Sequence, residues 1–305
     1  MRYELITTYT RPEEYRRPRR SVRLLQHAGF LNSRNLYWSW YKAPNFGDWV
    51  GPYLFEKMTG IAPLFYRPRR GALGTSVLTA GSILRHMKVP DRFIVWGSGI
   101  ISESDQVARP KEVRSLRGPY SRDFLHALGY PTSEVFGDPA ILLPKFLPVR
   151  SSKRHRLGII PHYFDYERVR EEFGKMDDVK VINVCRPITD VVEEIVSCEA
   201  TLSSSLHGVI VSHSYGIPCG WISSGTPLQG DDIKFKDYYH SDGNRPKVSP
   251  ISIAASARVQ ELVALARNSP RPEIERLQST LLEVCPHRTS GRHQARIESN
   301  RREVS

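Results

Sequence analysis

The sequence predicts an α/β protein made of two halves, each layered around a parallel sheet. Apolar strand-like segments alternate with helical ones along nearly the whole chain, which is typical of strands joined by crossover helices. A stretch rich in proline, serine and charge at 144–156 indicates a linker. We therefore expect an N-terminal domain over 1–149, a second domain over 150–286, and a basic, disordered tail over 287–305. The carboxyl ends of the two sheets would face each other across a cleft.

The first half is expected to contain four strands and two helices. The strands are short apolar runs, and two of them end directly in glycine and serine. One helix follows Asp48 and runs to Met58, because Gly60 ends it, and the other runs from Pro119 to Gly129. The strands are predicted at 36–41, 77–80, 93–96 and 113–116.

The second half repeats the alternation, with a charged helix between its first two strands. Its last two helices have apolar residues at i, i+3 and i+4, so each should bury one face. Strands are predicted at 157–160, 179–182, 200–202 and 218–222, and further helices at 189–195, 209–215, 253–267 and 273–283.

The composition restricts the partners. The formal net charge of +12 fits an anionic membrane surface or a phosphate-bearing substrate, although a merely solvated basic surface explains it too. No nucleic-acid motif is present, so we expect no nucleic-acid partner. The four cysteines lie far apart, which favours reduced thiols over zinc or disulfides. Without an export pattern or a membrane-spanning run, we expect a cytoplasmic protein, with peripheral contact at the inner face of the plasma membrane as an open alternative.

The turn at 203–208, Ser-Ser-Ser-Leu-His-Gly, is the most informative feature. It lies between a buried strand and an apolar helix, so the hydroxyls of Ser204 and Ser205 and free helical N–H groups meet at the positive end of a helix dipole. Such a turn binds a phosphate or a carboxylate. His207 would contact that anion or transfer a proton, or it would be a neutral hydrogen-bonding residue, since the dipole disfavours an imidazolium.

Other candidates also follow strands or begin helices. Asp48 either caps its helix or serves as a general base. Arg117 precedes Gly118 and Pro119 at a helix start, where its guanidinium would bind an anion in bidentate fashion or form a surface ion pair. His162 follows a strand at the same edge as the serine-rich turn. The segment 234–239 offers Lys234 and Lys236 to a phosphate, or is only a charged loop.

Several reaction classes lack their motifs. The chain has no GxSxG, HExxH or Walker A segment and no carboxylate pair spaced for glycoside hydrolysis. We expect neither a metal nor an organic cofactor. The reaction class that is left is group transfer at anion-binding turns.

Seven segments, taken in order, resemble the polysaccharide pyruvyl transferase family, most closely its proteobacterial exopolysaccharide, succinoglycan-type branch. They extend over about residues 35–240. The segments are NFGDWVGPYL (45–54), VWGSGI (95–100), RSLRGPYSRD (114–123), FGDPAILLP (136–144), LGIIPHYFD (157–165), SSLHGVIVSHSYGIP (204–218) and KFKDYY (234–239).

The resemblance implies two Rossmann-like domains, similar to B-type glycosyltransferases, with the acceptor on the N-terminal side and the donor on the C-terminal side. Phosphoenolpyruvate would be the donor, and a hexose of a lipid-linked saccharide would receive a pyruvate ketal. Arg117 and His207 match positions that contact the donor in the family. Many members have an arginine where this chain has Ser205, so Lys234, Lys236 or Arg186 would supply the missing charge. A nucleotide-sugar glycosyltransferase and a non-catalytic scaffold of a polysaccharide synthesis complex are the alternatives.

Overall fold

The first parallel sheet lies in the N-terminal part of the chain. The computed structural model describes residues 20–39, 45–223 and 231–287. The strands of this sheet are β1 (Asn35–Tyr37), β2 (Leu64–Phe65), β3 (Ser76–Leu78), β4 (Phe93–Trp96) and β5 (Glu112–Ser115). Their spatial order is β2-β1-β3-β4-β5, and every neighbouring pair is parallel.

The second sheet has four strands and is also parallel throughout. It consists of β6 (His155–Ile160), β7 (Val179–Val181), β8 (Cys198–Ser203) and β9 (Cys219–Trp221), in the order β7-β6-β8-β9. The predicted α/β class with parallel sheets is therefore confirmed. The domain boundaries remain predictions, and the tail beyond His287 lies outside the described residues.

Ten α-helices connect and cover the strands in the described parts of the chain, and none of them has the length and hydropathy needed to cross a bilayer. They are α1 (Arg20–His27), α2 (Phe46–Thr59), α3 (Pro119–Ala127), α4 (Leu143–Phe146), α5 (Tyr166–Phe173), α6 (Ile188–Val196), α7 (Leu206–Ser214), α8 (Ile233–Tyr239), α9 (Val259–Arg267) and α10 (Ile274–Glu283).

Three helix starts differ from the prediction by more than one residue, and one of them is α7, which begins at Leu206 and not at Val209. Helix α2 begins at Phe46, because the side chain of Asn45 accepts the N–H of Gly47 at 3.0 Å and caps the helix. The helix predicted over 253–267 begins only at Val259, because the N–H of Ala257 closes a turn on the carbonyl of Ala254 at 3.0 Å and the N–H of Arg258 donates to Glu261 at 3.2 Å.

Other elements were absent from the prediction or were given the wrong class. The structure adds α1 and the edge strand β2, and the alternative of a charged loop at 234–239 is wrong because these residues belong to α8. Residues 40 and 41 of the predicted first strand lie outside the described residues.

Packing between elements that are distant in sequence sets up the site. Helix α2 packs on α6, and both α2 and α7 pack on the short 3-10 turn Pro139–Leu142. The N–H of Phe46 donates to the carbonyl of Val184 at 2.9 Å, which fixes the start of α2. The starts of α2 and α7 therefore meet beside residues 138–142.

Helix α10 returns to the first half of the chain. The indole N–H of Trp96 donates to the carbonyl of Leu281 at 3.1 Å, and Gln278 donates to the carbonyl of Ile141 at 2.7 Å. These buried bonds hold the 139–142 turn from its outer side and make it a rigid neighbour of the site.

Candidate active site

The serine-rich turn forms as the sequence predicts. Strand β8 ends at Ser203 and α7 begins at Leu206, with Ser205 as the N-cap residue. The Ser203 hydroxyl accepts the N–H of Ser205 at 3.0 Å and lies 2.9 Å from the carbonyl oxygen of Ile160, so the turn is held against the neighbouring strand. Within the described chain, the structure gives the N–H groups of residues 206–208 no acceptor. They are free donors at the positive end of α7.

His207 lies at the meeting point of α7, α2 and the 81–83 loop. A Cβ placed on Gly47 would stand 2.1 Å from its Nδ1, so the ring lies directly against the backbone of α2. The side chain is 12% exposed, and its Nε2 has no hydrogen-bond partner among the described residues. Burial lowers the pKa of His207, with Arg117 and Lys234 acting in the same direction, while Asp138 partly offsets them. The resting imidazole is therefore neutral, as one of the predicted alternatives required.

Asp138 is a neighbour of His207 that the sequence reasoning did not single out. Its carboxylate is fully buried and accepts the N–H of Ala140 at 2.9 Å and that of Gly81 at 3.1 Å. The second oxygen, Oδ2, lies 3.8 Å from Nε2 of His207. The only signal in the sequence was Asp before Pro139, which reads as a helix cap. Asp138 does cap the turn that follows it, but a capping pattern does not indicate that His207 lies beside the carboxylate.

Arg117 is fully buried and already paired. Its Nε donates to Asp237 at 3.0 Å, and its other nitrogens donate to the carbonyl of Ile100 and the hydroxyl of Ser82, both at 2.5 Å. A Cβ on Gly99 would lie 2.5 Å from the guanidinium carbon, so the glycine leaves room for the arginine.

The anion at the start of α3 is therefore a side chain of the protein. Besides Arg117, Asp237 accepts the N–H of Ser121 at 3.0 Å and its hydroxyl at 2.6 Å. The sequence predicts an anion-binding position at this helix start, and a carboxylate from α8 occupies it. Three of the five guanidinium N–H groups of Arg117 are thus already engaged within the protein.

The two lysines of α8 lie in different environments. Lys234 is half-buried and Lys236 is exposed. Burial, with a further effect from Arg117, lowers the pKa of Lys234 to about 8, and no carboxylate within the described part of the chain forms an ion pair with it. Of the three alternatives for a replacement cation, Arg186, which lies just before α6, forms ion pairs with Asp190 and Glu194 of that helix.

His162 and Ser204 lie on the other side of the turn. The N–H of His162 donates to the hydroxyl of Ser204 at 2.9 Å, which links the end of β6 to the start of α7. Burial lowers the pKa of His162 to about 4, and the charge of Lys234 contributes in the same direction. His162, His207, Lys234 and Arg117 thus influence one another electrostatically, so four of the predicted residues come together.

Asp48 lies in the first turn of α2. It does not cap the helix, because Asn45 does, so the capping alternative is wrong. Burial raises the pKa of Asp48 to about 7, and its charge contributes to a raised thiol pKa at Cys185. A carboxyl group that titrates near neutrality can either accept or donate a proton there.

The fold and these contacts define an α/β protein with free N–H donors at a strand-to-helix turn, close to the charge of a half-buried lysine and to a histidine with an aspartate 3.8 Å from its Nε2. Residues 82–226 match the model of the polysaccharide pyruvyl transferase family. The resemblance predicted from the sequence is thereby confirmed for this region of the chain.

Two curated relatives are similar to the chain. Uncharacterized protein L143 of Acanthamoeba polyphaga mimivirus is 38% identical over 152 residues, which are 48% of this chain and 53% of that protein. Succinoglycan biosynthesis protein ExoV of Rhizobium meliloti (strain 1021) is 24% identical over 233 residues, 71% of this chain and 68% of ExoV. The chain thus spans about half the length of the viral relative. No solved structure matches.

Proposed function

We propose that this protein transfers the pyruvyl group of phosphoenolpyruvate to a hexose of a polysaccharide repeat unit as a cyclic ketal. One observation carries the proposal: within the family region, free N–H groups of α7 and the unpartnered Nε2 of His207 meet close to the charge of Lys234. The site thus offers donors for a phosphate and a group for proton transfer within one turn. The family match and the similarity to ExoV support the pyruvyl chemistry.

In this proposal the donor phosphate binds at the start of α7. The N–H groups of residues 206–208 and the hydroxyls of Ser204 and Ser205 donate to its oxygens, with Lys234 as the counter-charge. Lys234 then takes the place of the arginine that many family members carry at the position of Ser205. Arg117 is held by Asp237, so in this proposal it stabilises the phosphate by its positive charge at a distance and is not the main hydrogen-bond donor. Each good donor to the departing phosphate contributes about 3 kcal/mol to transition-state stabilisation.

The reaction requires one proton on carbon and the loss of two from oxygen. His207 protonates the methylene carbon, which becomes the methyl group, while a sugar hydroxyl attacks the adjacent carbon and gives its proton to Asp48. The bond from that carbon to the phosphate oxygen breaks, and a second hydroxyl closes the ketal. The proton on Asp48 leaves with the phosphate as hydrogen phosphate, and the proton of the second hydroxyl passes to His207, which restores the acid. His207 first takes up its proton when the anionic donor binds beside it, and the Asp138 carboxylate stabilises that imidazolium.

The experiment supplies the purified chain with phosphoenolpyruvate and a lipid-linked or free saccharide. We expect release of inorganic phosphate and a new ketal methyl signal in the proton NMR spectrum. His207→Ala should lose both, whereas Lys236→Ala, which changes the exposed lysine of α8, should keep them. Phosphate release that survives His207→Ala would disprove the assignment of the acid.

The same preparation separates the alternatives. Thermal stabilisation by a nucleotide sugar and none by phosphoenolpyruvate would indicate a glycosyltransferase. Binding of phosphoenolpyruvate without turnover on any acceptor would indicate a scaffold. A reaction without a metal or an organic cofactor, and a cytoplasmic location, stay predictions.

A further inference from the structure

Helix α1 and the turn after β2 expose several large apolar side chains on one side of the first sheet. Leu24 is 69% exposed, Phe30 78% and Leu73 65%. The N–H of Leu73 donates to the carbonyl of His27 at 2.7 Å, and that of Phe30 to the carbonyl of Leu25 at 3.0 Å. These bonds place the three side chains around the end of α1. Burying them would be favourable, and nothing in the described part of the chain covers them.

The helix is anchored so that these side chains point outward. The side chain of Gln26 is buried and donates to the Asn35 side chain at 2.9 Å and to the carbonyl of Phe65 at 3.3 Å. The polar residue thus faces the protein, and the leucines beside it face the solvent. This is the reverse of the usual pattern for a surface helix.

The surroundings of this apolar group are strongly cationic. Arg20, Arg67, Arg69 and Arg70 are exposed, and within the described chain none of them has a carboxylate at ion-pair distance. Residues 20–75 contain only two acidic residues, Asp48 and Glu56. Both of these carboxylates belong to α2.

We propose that this surface, Leu24, Leu25, Phe30 and Leu73 with the surrounding arginines, binds the protein to an anionic lipid bilayer. We name it the α1 surface. A bilayer interface takes up apolar side chains at the depth of the acyl boundary, while the arginines remain at the lipid phosphates. The positive charge of this surface identifies an anionic bilayer as the partner, because arginines without acidic neighbours are complementary to a surface of uniform negative charge. The proposal rests on this surface and not on the proposed reaction.

The test measures binding of the full chain to sedimented vesicles, without phosphoenolpyruvate. The wild type should bind vesicles of phosphatidylcholine mixed with phosphatidylglycerol, bind pure phosphatidylcholine far less, and lose binding as salt is added. Arg69→Ser with Arg70→Ser should lower the partition coefficient about 30-fold, roughly five-fold per arginine. Leu24→Ser, Phe30→Ser and Leu73→Ser together should lower it at least about ten-fold.

Matched controls use the same substitutions elsewhere. Leu128→Ser with Leu265→Ser removes exposed leucines that are 45% and 38% exposed, and Arg245→Ser with Lys247→Ser removes exposed cations. Both control variants should bind vesicles like the wild type. The arginine pair keeps the proposal testable should the apolar variant not fold, since these side chains are exposed.

Three results would overturn the proposal: equal binding to neutral and anionic vesicles, equal losses in the control variants, or no vesicle binding at all. If the wild type self-associates instead and the apolar variant is monomeric, the surface is an interface between copies. Turnover with a soluble saccharide is measured separately, so failure of this proposal and failure of the proposed reaction are distinguishable.

Discussion

Substitution of Gly47 by alanine tests the contact on which the geometry of the site depends. The new Cβ would stand 2.1 Å from Nδ1 of His207, whereas ordinary van der Waals contact begins at 3.4 Å. The imidazole or the start of α2 must therefore move by about 1.3 Å. We expect a destabilisation of about 1–3 kcal/mol from overpacking. We also expect a fall in kcat of about 100-fold, since a displacement of this size misplaces the acid.

The assay is a double-mutant cycle with His207→Ala, measured by denaturant unfolding. Once the imidazole is gone, the extra methyl group meets no obstacle, and alanine is the better helix former by about 1 kcal/mol. Gly47→Ala should then be neutral or stabilising, so the two changes would be strongly coupled. Additive losses in the double variant, or near-normal turnover of the single variant, would refute this account of the contact between α2 and α7.

Three further outcomes are expected. Lys234→Ala should raise KM for phosphoenolpyruvate at least about ten-fold, whereas Lys236→Ala should leave KM unchanged. The wild type should also lose activity as pH rises through about 8, because Lys234 loses its proton there. Asp138→Asn should move the alkaline limb of the rate profile to lower pH and lower the pKa of His207 in an NMR titration, because the carboxylate raises the pKa of the acid. An unchanged titration would contradict the pairing. Burial lowers the pKa of His213 to about 4. The contribution of the neutral imidazole to the free energy of unfolding is therefore complete above about pH 6.5 and is lost as pH falls toward 4, on the order of 3 kcal/mol. A wild type whose stability does not fall in this range, or a His213→Gln variant that shows the same loss, would refute this prediction.

Much of the secondary structure could be predicted from local sequence patterns. The strands β4, β6 and β8 and the helices α2, α6 and α10 lie within one or two residues of prediction, apart from the start of α2 and the added residues at the start of β8. Their periodicity and turn residues are local properties of the sequence. The element at 259–267 was predicted too long, since the N–H of Ala257 closes a turn on the carbonyl of Ala254 and the N–H of Arg258 donates to Glu261, which delays the helix to Val259.

The candidate site shows the limit of the same reasoning. The free N–H groups at α7 follow from the turn itself, so they could be predicted. The partner of Arg117 could not, because Asp237 lies 120 positions away and was itself part of a segment interpreted for its lysines. Lys234 and Lys236 looked equivalent until the packing of α8 buried one and exposed the other.

By itself, the sequence determined the alternation of parallel strands and helices, the strand-to-helix turn at residues 203–208 and the region that matches the family, because hydrophobic period, glycine positions and helix ends depend on neighbouring residues. The tertiary structure decided which distant groups meet: Arg117 pairs with Asp237, and His207 lies against the backbone of Gly47 with Asp138 3.8 Å from its Nε2. Burial and pairing set the energy of a charge, and both depend on which distant segments meet.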